Sequence, residues 1–217
     1  MIEILPAILA HSEEEFIEKV NRVKSLGATL HIDVMDGNFV KNTTWAPSDR
    51  VRHLLADVPY EVHLMVSNPE HAVPVWFACG AKRVIYHVES TLRDDLLFRA
   101  MHERSSDLSI ALNPDTPISR ITPLISTFTH VMIMGVKPGW SGQSFQEVAE
   151  EKIKALKDLR PSLIIAVDGG IKLENAKSLA KAGANILIVG SALTDQHDPQ
   201  KTFSQFKKIV APFDNEL

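Results

Sequence analysis

Two histidines and two aspartates stand within segments of the chain that are otherwise strongly apolar. His31 and Asp33 are two residues apart, so in a strand both side chains point to the same side. His63 and Asp168 lie in two further apolar segments. Imidazole and carboxylate groups that are buried in such strands must be paired, hydrogen-bonded or bound to an ion. If all four meet, the set suits Zn²⁺, Fe²⁺, Mn²⁺ or Co²⁺ better than Ca²⁺ or Mg²⁺, which prefer oxygen ligands alone.

Small residues follow three of the later apolar segments. They allow backbone N–H groups to approach an anion closely, and the start of a helix adds a favourable dipole. Each pair of glycines by itself is weak evidence for a phosphate site, because glycines also form ordinary turns. Together they predict a phosphate site, and the residues concerned are Gly139 to Gly142, Gly169, Gly170, Gly190 and Ser191.

Other polar residues in the chain are better explained by a structural role than by catalysis or metal binding. Asp36 precedes a glycine, which is typical of a turn. His87, at the end of an apolar segment, and His53, in a helical pattern, are also interpreted as structural. Methionines near strand ends usually fill the core, but these would also give a substrate an apolar wall, and they are Met35, Met65 and Met134.

The elements that must position these residues alternate between strands and helices. Eight apolar segments rich in β-branched residues are predicted as strands that are buried on both faces of a parallel sheet. Their bounds are Glu3–Leu9, Thr29–Val34, Tyr60–Met65, Arg83–His87, Leu108–Leu112, His130–Met134, Leu163–Val167 and Ile186–Val189.

Helical patterns fill the intervals, and several carry capping signals. Capping boxes at Ser12-x-x-Glu15 and Ser144-x-x-Glu147 each predict a helix start. Asn68-Pro69 predicts another, since it places a capping residue before a proline at the first helical position. Glycines end several of these patterns, as at Gly27. Two more helices are predicted at Leu173–Ala182 and Pro199–Val210.

Eight strand–helix units in 217 residues predict a single (β/α)₈ barrel domain over residues 1–217. An open doubly wound sheet is the alternative, but no glycine-rich fingerprint follows the first strand. In such a barrel the active site lies at the carboxyl ends of the strands, where the four candidate ligands stand.

Composition excludes several classes of protein. The net charge of −4 and the sequence pI of about 6.1 provide no basic surface for nucleic acid or anionic lipid. The only cysteine, Cys79, cannot form an internal disulfide, which is typical of a reducing compartment. No apolar run approaches the ~18 residues that would span a membrane, and the N-terminus lacks the basic flank of a signal peptide. We therefore expect a cytoplasmic protein.

Several segments resemble the signature of the ribulose-phosphate 3-epimerase family. The matching segments follow the family's order from Pro6 to Ser191. They are His31-Ile-Asp-Val-Met-Asp-Gly37, Phe39-Val-x-Asn42, Val62-His-Leu-Met65, Leu112-Asn-Pro-x-Thr116-Pro, Val136-x-Pro-Gly139, Gly142-Gln-x-Phe145, Val167-Asp-Gly-Gly-Ile171 and Val189-Gly-Ser191.

The resemblance implies a ribulose-phosphate-binding barrel that interconverts D-ribulose 5-phosphate and D-xylulose 5-phosphate, a step of the pentose phosphate pathway. It implies one divalent cation per subunit on His31, Asp33, His63 and Asp168, with Asp33 and Asp168 as the acid–base pair. It also implies a homo-oligomer. The substrate-binding positions would be His63, Gly139, Trp140, Ser141, Gly142, Gly169, Gly170, Gly190 and Ser191.

The chain departs from the family's usual residues at a few positions near the expected substrate. These are Ala7, where the family usually has serine, together with Asn38, Lys41 and Ser141. An epimerase for a related ketose phosphate, such as allulose 6-phosphate, would share every catalytic residue and remains an alternative. Two others are a Schiff-base aldolase that uses Lys137, and a sugar-phosphate-binding barrel without activity.

Overall fold

The computed structural model describes residues 1–91, 97, 101–140 and 142–214, apart from the side chains at 102, 103 and 105. Eight parallel strands pair in chain order, and the last pairs with the first to close a barrel. They are β1 (Glu3–Ile8), β2 (Leu30–Met35), β3 (Tyr60–Met65), β4 (Val84–His87), β5 (Leu108–Leu112), β6 (His130–Met134), β7 (Ile164–Asp168) and β8 (Ile186–Val189).

The predicted barrel is confirmed, and the predicted strands agree closely with the observed ones. Four of the eight match residue for residue, and the bounds of the other four differ by one residue. The open doubly wound sheet is wrong, because β8 pairs with β1 over Glu3 to Pro6. The prediction that all of residues 1–217 form one domain includes residues 215–217, which are outside the described part.

Side chains alternate along each strand between the inside of the barrel and the layer under the helices. The inner apolar cluster is small and includes Leu5, Ala7, Ile85, Met132 and Ile188. The larger cluster packs the outward residues of the strands against the helices. Since the inner cluster is small, the remaining inward positions are free for the polar side chains that the sequence places on β2, β3 and β7.

Seven helices surround the described part of the barrel, and most begin where the sequence predicts. They are α1 (Glu13–Val23), α2 (Ser48–Leu54), α3 (Pro69–Ala78), α4 (Val148–Leu159), α5 (Leu173–Ala182), α6 (Ser191–Thr194) and α7 (Pro199–Val210). Ser12 caps α1 by accepting a hydrogen bond from the Glu15 N–H at 3.2 Å. Asn68 caps α3 in the same way. The predictions for α5 and α7 are confirmed at both ends.

The start predicted for α4 is wrong. The helix begins at Val148 and has Glu147 at the capping position, without a side-chain hydrogen bond there, so Ser144 lies outside it. A cap at Ser144 would need the N–H of Gln146 or Glu147. The Gln146 N–H instead donates to the Gly135 carbonyl oxygen just after β6, at 2.8 Å. This tertiary hydrogen bond holds the segment against the barrel, so the helix begins only at Val148.

Among the described residues, no helix is both long and apolar enough to cross a membrane.

Candidate metal and catalytic site

The register of β2 and β3 brings three of the four candidate ligands together. Asp33 is paired with His63 across the two strands, and His31 is paired with Glu61 one layer below. The two side chains on β2 and the two on β3 all point into the barrel, because paired positions on parallel strands face the same side of the sheet. The fourth ligand, Asp168, is the last residue of β7 and reaches the same point from across the barrel.

The four predicted ligands form one compact and buried group. One ligand atom from each of His31, Asp33, His63 and Asp168 lies within 4.8 Å of the others. His63 Nδ1 is 3.0 Å from Asp33 Oδ1 and 3.7 Å from Asp168 Oδ2. Both imidazoles are fully buried, while the two carboxylates are slightly exposed toward a cavity.

The hydrogen bonds around His31 leave one ring nitrogen for an ion. His31 Nδ1 lies 2.7 Å from Glu61 Oε1, and the other oxygen of Glu61 accepts a hydrogen bond from Arg83 Nη1 at 2.6 Å. A carboxylate is an acceptor, so Nδ1 carries the proton. His31 Nε2 is buried without a hydrogen-bond partner in the described part of the chain, 3.6 Å from Asp33 Oδ1. A buried nitrogen that faces a carboxylate fits a cation between them.

The electrostatics of the group are dominated by its carboxylates. Burial alone would lower the pKa of His31, but Asp33 and Glu61 outweigh it and raise the pKa to about 10. Burial would raise the pKa of Asp33, but the neighbouring imidazoles of His31 and His63 hold it well below its usual range. Burial and the negative charge of Asp33 raise the pKa of Asp168 to about 6. Such a concentration of acidic oxygen and imidazole nitrogen favours a bound divalent cation.

A cavity opens above the two aspartates at the carboxyl ends of the strands. Asp33 and Asp168 lie in its floor, and the three predicted methionines and Ala7 lie in its wall. Most of the predicted substrate-binding residues also line it, namely Gly139, Trp140, Gly142, Gly169, Gly170, Gly190 and Ser191. His63 is not among the lining residues, because it is fully buried. Ser141 lies outside the described residues.

Close packing explains two of the glycines at the rim. A Cβ atom on Gly170 would lie 3.0 Å from the backbone of Phe145, and its φ of +71° is strained for other residues. A Cβ atom on Gly135 would lie 2.4 Å from the Gly169 carbonyl oxygen. The loops after β6 and β7 therefore touch through backbone atoms, which fixes the rim beside the cavity.

Comparison with known sequences identifies the family. Residues 3–194 match the description "Ribulose-phosphate 3 epimerase family". The chain belongs to the ribulose-phosphate 3-epimerase family. The protein named Ribulose-phosphate 3-epimerase from Bacillus subtilis (strain 168) is 34% identical over 215 residues, which cover 95% of this chain and 99% of that one. The protein of that name from Escherichia coli (strain K12) is 30% identical, with 98% of both chains covered.

A plant protein and two solved structures extend the comparison. Ribulose-5-phosphate-3-epimerase, chloroplastic, from Arabidopsis thaliana is 35% identical over 97% of this epimerase-family chain and 78% of its own. The crystal structure of 3-hexulose-6-phosphate synthase from Salmonella typhimurium has a TM-score of 0.75 at 16% identity, covering 98% of this chain and 100% of that one. KGPDC from Streptococcus mutans has a TM-score of 0.74 at 13% identity, covering 98% and 99%. At these identities the two structures support the barrel fold alone.

Two of the residues interpreted as structural, Asp36 and His53, lie outside the four-ligand group. The Asp36 carboxylate accepts hydrogen bonds from the N–H groups of Asn38, Phe39 and Ser67 and from the Ser67 hydroxyl. It thereby ties the loop after β2 to the loop after β3. His53 is exposed on α2.

Sequence reasoning missed Glu61 as a partner of the site. Glu61 is almost completely buried, and hydrogen bonds from His31 and the charge of Arg83 hold its pKa near 2 although burial would raise it. The available signal was its alternation with His63, since the two are separated by one residue and must face the same side of β3. The partner of a metal-binding histidine is commonly such a carboxylate.

Proposed function

We propose that this protein interconverts D-ribulose 5-phosphate and D-xylulose 5-phosphate by moving the proton at C3 of the sugar. The proposal depends above all on the observation that two buried histidines and two aspartates converge at the floor of the cavity. The names of the relatives that cover nearly the whole chain support the choice of substrate.

His31, Asp33, His63 and Asp168 would hold one divalent cation, and their mixture of imidazole and carboxylate suits Zn²⁺, Fe²⁺, Mn²⁺ or Co²⁺. When bound, the cation would act as a Lewis acid that stabilises the negative charge developing on the substrate during proton removal. His31 and His63 are fully buried, so their part is to hold that ion in place.

Asp33 and Asp168 would act as the acid and the base. Inversion at C3 needs a proton removed from one face of the sugar and another delivered to the opposite face. β2 and β7 are three places apart around the barrel, so the two carboxylates approach the cavity from different sides. Each would remove the proton on its own side, and the two exchange roles with the direction of the reaction.

The phosphate of the substrate would lie at the glycine-rich rim. Gly169, Gly170, Gly190 and Ser191 line the cavity after β7 and β8, which is the usual phosphate position in barrels of this kind. Gly139, Trp140 and Gly142 line the same cavity from the neighbouring loop after β6. Ser141 is proposed with them on the basis of the resemblance alone.

Lys137 does not have the surroundings of a Schiff-base lysine. Its ammonium group forms an ion pair with Asp115 at 2.9 Å, and two thirds of the side chain is exposed. It is not among the residues that line the cavity. Lysines that attack a carbonyl group are usually desolvated in a pocket, so the geometry does not favour the aldolase.

Proton NMR in D₂O tests the proposed function. D-Ribulose 5-phosphate incubated with the protein should give D-xylulose 5-phosphate that carries deuterium at C3. A strong chelator should stop the reaction, and added Co²⁺ or Zn²⁺ should restore it. Absence of exchange in the metal-loaded protein would contradict this substrate. The same assay with D-allulose 6-phosphate, and with Ala7→Ser, would then separate a related ketose phosphate from a barrel without activity.

Replacing either proposed acid–base residue should nearly abolish turnover. Asp33→Asn and Asp168→Asn keep the shape of the side chain but remove the carboxylate that takes up the proton. We expect kcat to fall by at least about 100-fold in each, as typical for a lost general acid or base. Asp158→Asn, on the exposed side of α4, is the matched control and should retain the activity of the unmodified protein. Retention of activity by both variants would contradict the assignment of Asp33 and Asp168 as acid and base.

A further inference from the structure

His87 lies directly behind His63 in the barrel interior, and the predicted mechanism does not use it. It is the last residue of β4 and is fully buried. Its Nε2 atom is 2.8 Å from Nε2 of His63, and the two rings meet edge to edge, with centroids 5.0 Å apart and an angle of 29° between the ring planes. The opposite edge of His63 places Nδ1 beside Asp33 and Asp168. His63 therefore contacts the ligand group through one nitrogen and His87 through the other.

The hydrogen bonds continue from His87 to a carboxylate. His87 Nδ1 is 3.2 Å from Glu89 Oε2. The other oxygen of Glu89 accepts hydrogen bonds from the Asn113 N–H at 2.8 Å and from the Thr116 hydroxyl. Burial would raise the pKa of Glu89, but the hydrogen bonds from His87, Thr116 and Asn113 lower it, so the group is ionised and accepts only. The ring of Phe39 packs against His87, with centroids 4.9 Å apart, and helps to fix its orientation.

These hydrogen bonds determine which ring nitrogen of His87, and then of His63, carries a proton. Glu89 requires a donor, so His87 carries its proton on Nδ1. A neutral imidazole with a proton on Nδ1 is an acceptor at Nε2. With a cation bound at the four-residue group, His63 must then donate from its own Nε2, and the lone pair of its Nδ1 is available to that cation. Without a cation, His63 Nδ1 lies within hydrogen-bond distance of Asp33 Oδ1, at 3.0 Å. That nitrogen is the one a metal ion needs.

We propose that His87 is a positioning residue which, held by Glu89, fixes His63 in the Nε2–H tautomer and so presents His63 Nδ1 as a metal ligand. The inference rests on the proposed function, because it assumes a metal ion at the four-residue group. The arrangement mirrors that of His31, which Glu61 holds in the opposite tautomer with Nε2 as the ligand. Each metal-binding histidine thus has a buried partner of its own.

The first test compares two substitutions of His87 through their affinity for Co²⁺. His87→Phe keeps a flat ring but removes both hydrogen bonds. In His87→Gln, the amide oxygen can accept from His63 while the amide nitrogen donates to Glu89. We expect His87→Phe to weaken Co²⁺ binding about 10- to 100-fold and to shift the visible absorption of bound Co²⁺. His87→Gln should recover most of the affinity and the original spectrum.

His130→Phe is the matched control for this experiment. His130 is also buried inside the barrel, but it lies at the other end of β6 and is hydrogen-bonded to Ser109. Its substitution should leave the affinity for Co²⁺ unchanged. A His87→Phe variant with the affinity and spectrum of the unmodified protein would overturn the inference, as would an equal loss in His87→Gln. An unmodified protein that binds no Co²⁺ would contradict the metal centre itself.

A second measurement needs no variant and covers the case in which His87→Phe fails to fold. Nitrogen-15 NMR of the histidine side chains in the Zn²⁺-loaded protein reports which ring nitrogen carries a proton. We expect His63 to be protonated only at Nε2 and His87 only at Nδ1. A His87 ring protonated at Nε2, alone or together with Nδ1, would contradict the proposed chain of hydrogen bonds.

Discussion

At the scale of single residues, two equally buried histidines of the barrel have pKa values that move in opposite directions, although burial lowers both. Carboxylate neighbours raise the pKa of His31 to about 10 although burial would lower it. In the part of the chain that the structure describes, no carboxylate lies within hydrogen-bond distance of His130, and burial together with the charge of Arg83 lowers its pKa to about 3. His130 is therefore neutral in the folded protein, with a hydroxyl partner on Ser109. The charge of a buried histidine therefore depends on its nearest hydrogen-bond partner and not on how deeply it is buried.

This difference predicts a dependence of stability on pH. His130 has a folded pKa near 3 and a reference pKa of 6.5, so between these values the unfolded chain binds a proton that the folded chain does not. Its contribution to the free energy of unfolding is fully present above about pH 6.5 and falls as the pH decreases, by at most ~1.4 kcal/mol per pH unit. His130→Gln should flatten this part of the pH dependence, measured by urea unfolding between pH 7.5 and 5.

His53→Gln is the control for this comparison, because His53 is exposed on α2. It should leave the slope as in the unmodified protein. Equal slopes in the unmodified protein and in His130→Gln would show that His130 does not contribute to the acid sensitivity.

At the scale of elements, two identical capping patterns have different outcomes. Ser12 caps α1, while Ser144 caps no helix and the Gln146 N–H two residues after it donates to the Gly135 carbonyl oxygen. Both segments carry the pattern Ser-x-x-Glu, but only the second must also close the rim of the cavity against β6. A single tertiary hydrogen bond of about 1 kcal/mol is comparable with a helix cap, so it can displace the start of the helix.

The two serines should therefore differ when they are replaced by alanine. Ser12→Ala should lower the free energy of unfolding by about 1 kcal/mol, because the Glu15 N–H loses its acceptor. Ser144→Ala should change it by less than about 0.5 kcal/mol, since Ser144 is exposed and caps no helix. Urea unfolding of both variants measures the difference. A larger loss in Ser144→Ala than in Ser12→Ala would refute this account of α4.

At the scale of the whole molecule, the proposed metal site connects distant parts of the barrel wall. Its ligands come from β2, β3 and β7, and β7 is three strands away from β2 around the ring. An ion bound there would hold these strands together only in the closed barrel, because the unfolded chain does not bring the four residues close. Its binding energy would therefore add to the stability of the fold.

A metal ion should accordingly raise the stability of the protein. Co²⁺ at a free concentration about 100-fold above its Kd should increase the free energy of unfolding by about 2.7 kcal/mol. Asp168→Asn should lose most of this gain, and Asp158→Asn should keep it. Thermal unfolding with and without chelator measures the effect. An unchanged midpoint on addition of Co²⁺ to the chelated protein would contradict a site built from these strands.

The predicted homo-oligomer belongs to the same scale and stays a prediction. Light scattering during size-exclusion chromatography would test it by giving the mass of the particle in solution.

The sequence by itself determined the strands, the barrel and the four candidate ligands. Buried parallel strands show as short apolar runs, and polar residues within such runs stand out because burial without a partner is costly. This contrast was sufficient to select His31, Asp33, His63 and Asp168, which the structure brings together within 4.8 Å. Local capping signals likewise placed the starts of α1 and α3, and helical patterns gave both ends of α5 and α7.

Only the tertiary structure decided the partners of those ligands and the start of α4. Glu61 beside His31, and His87 behind His63, depend on strand register and on distances across the barrel. The hydrogen bond from the Gln146 N–H to the Gly135 carbonyl oxygen joins residues that no local pattern connects. Local propensity and periodicity act over a few residues, whereas these contacts arise only when the barrel closes, and closure is a property of all eight strands together.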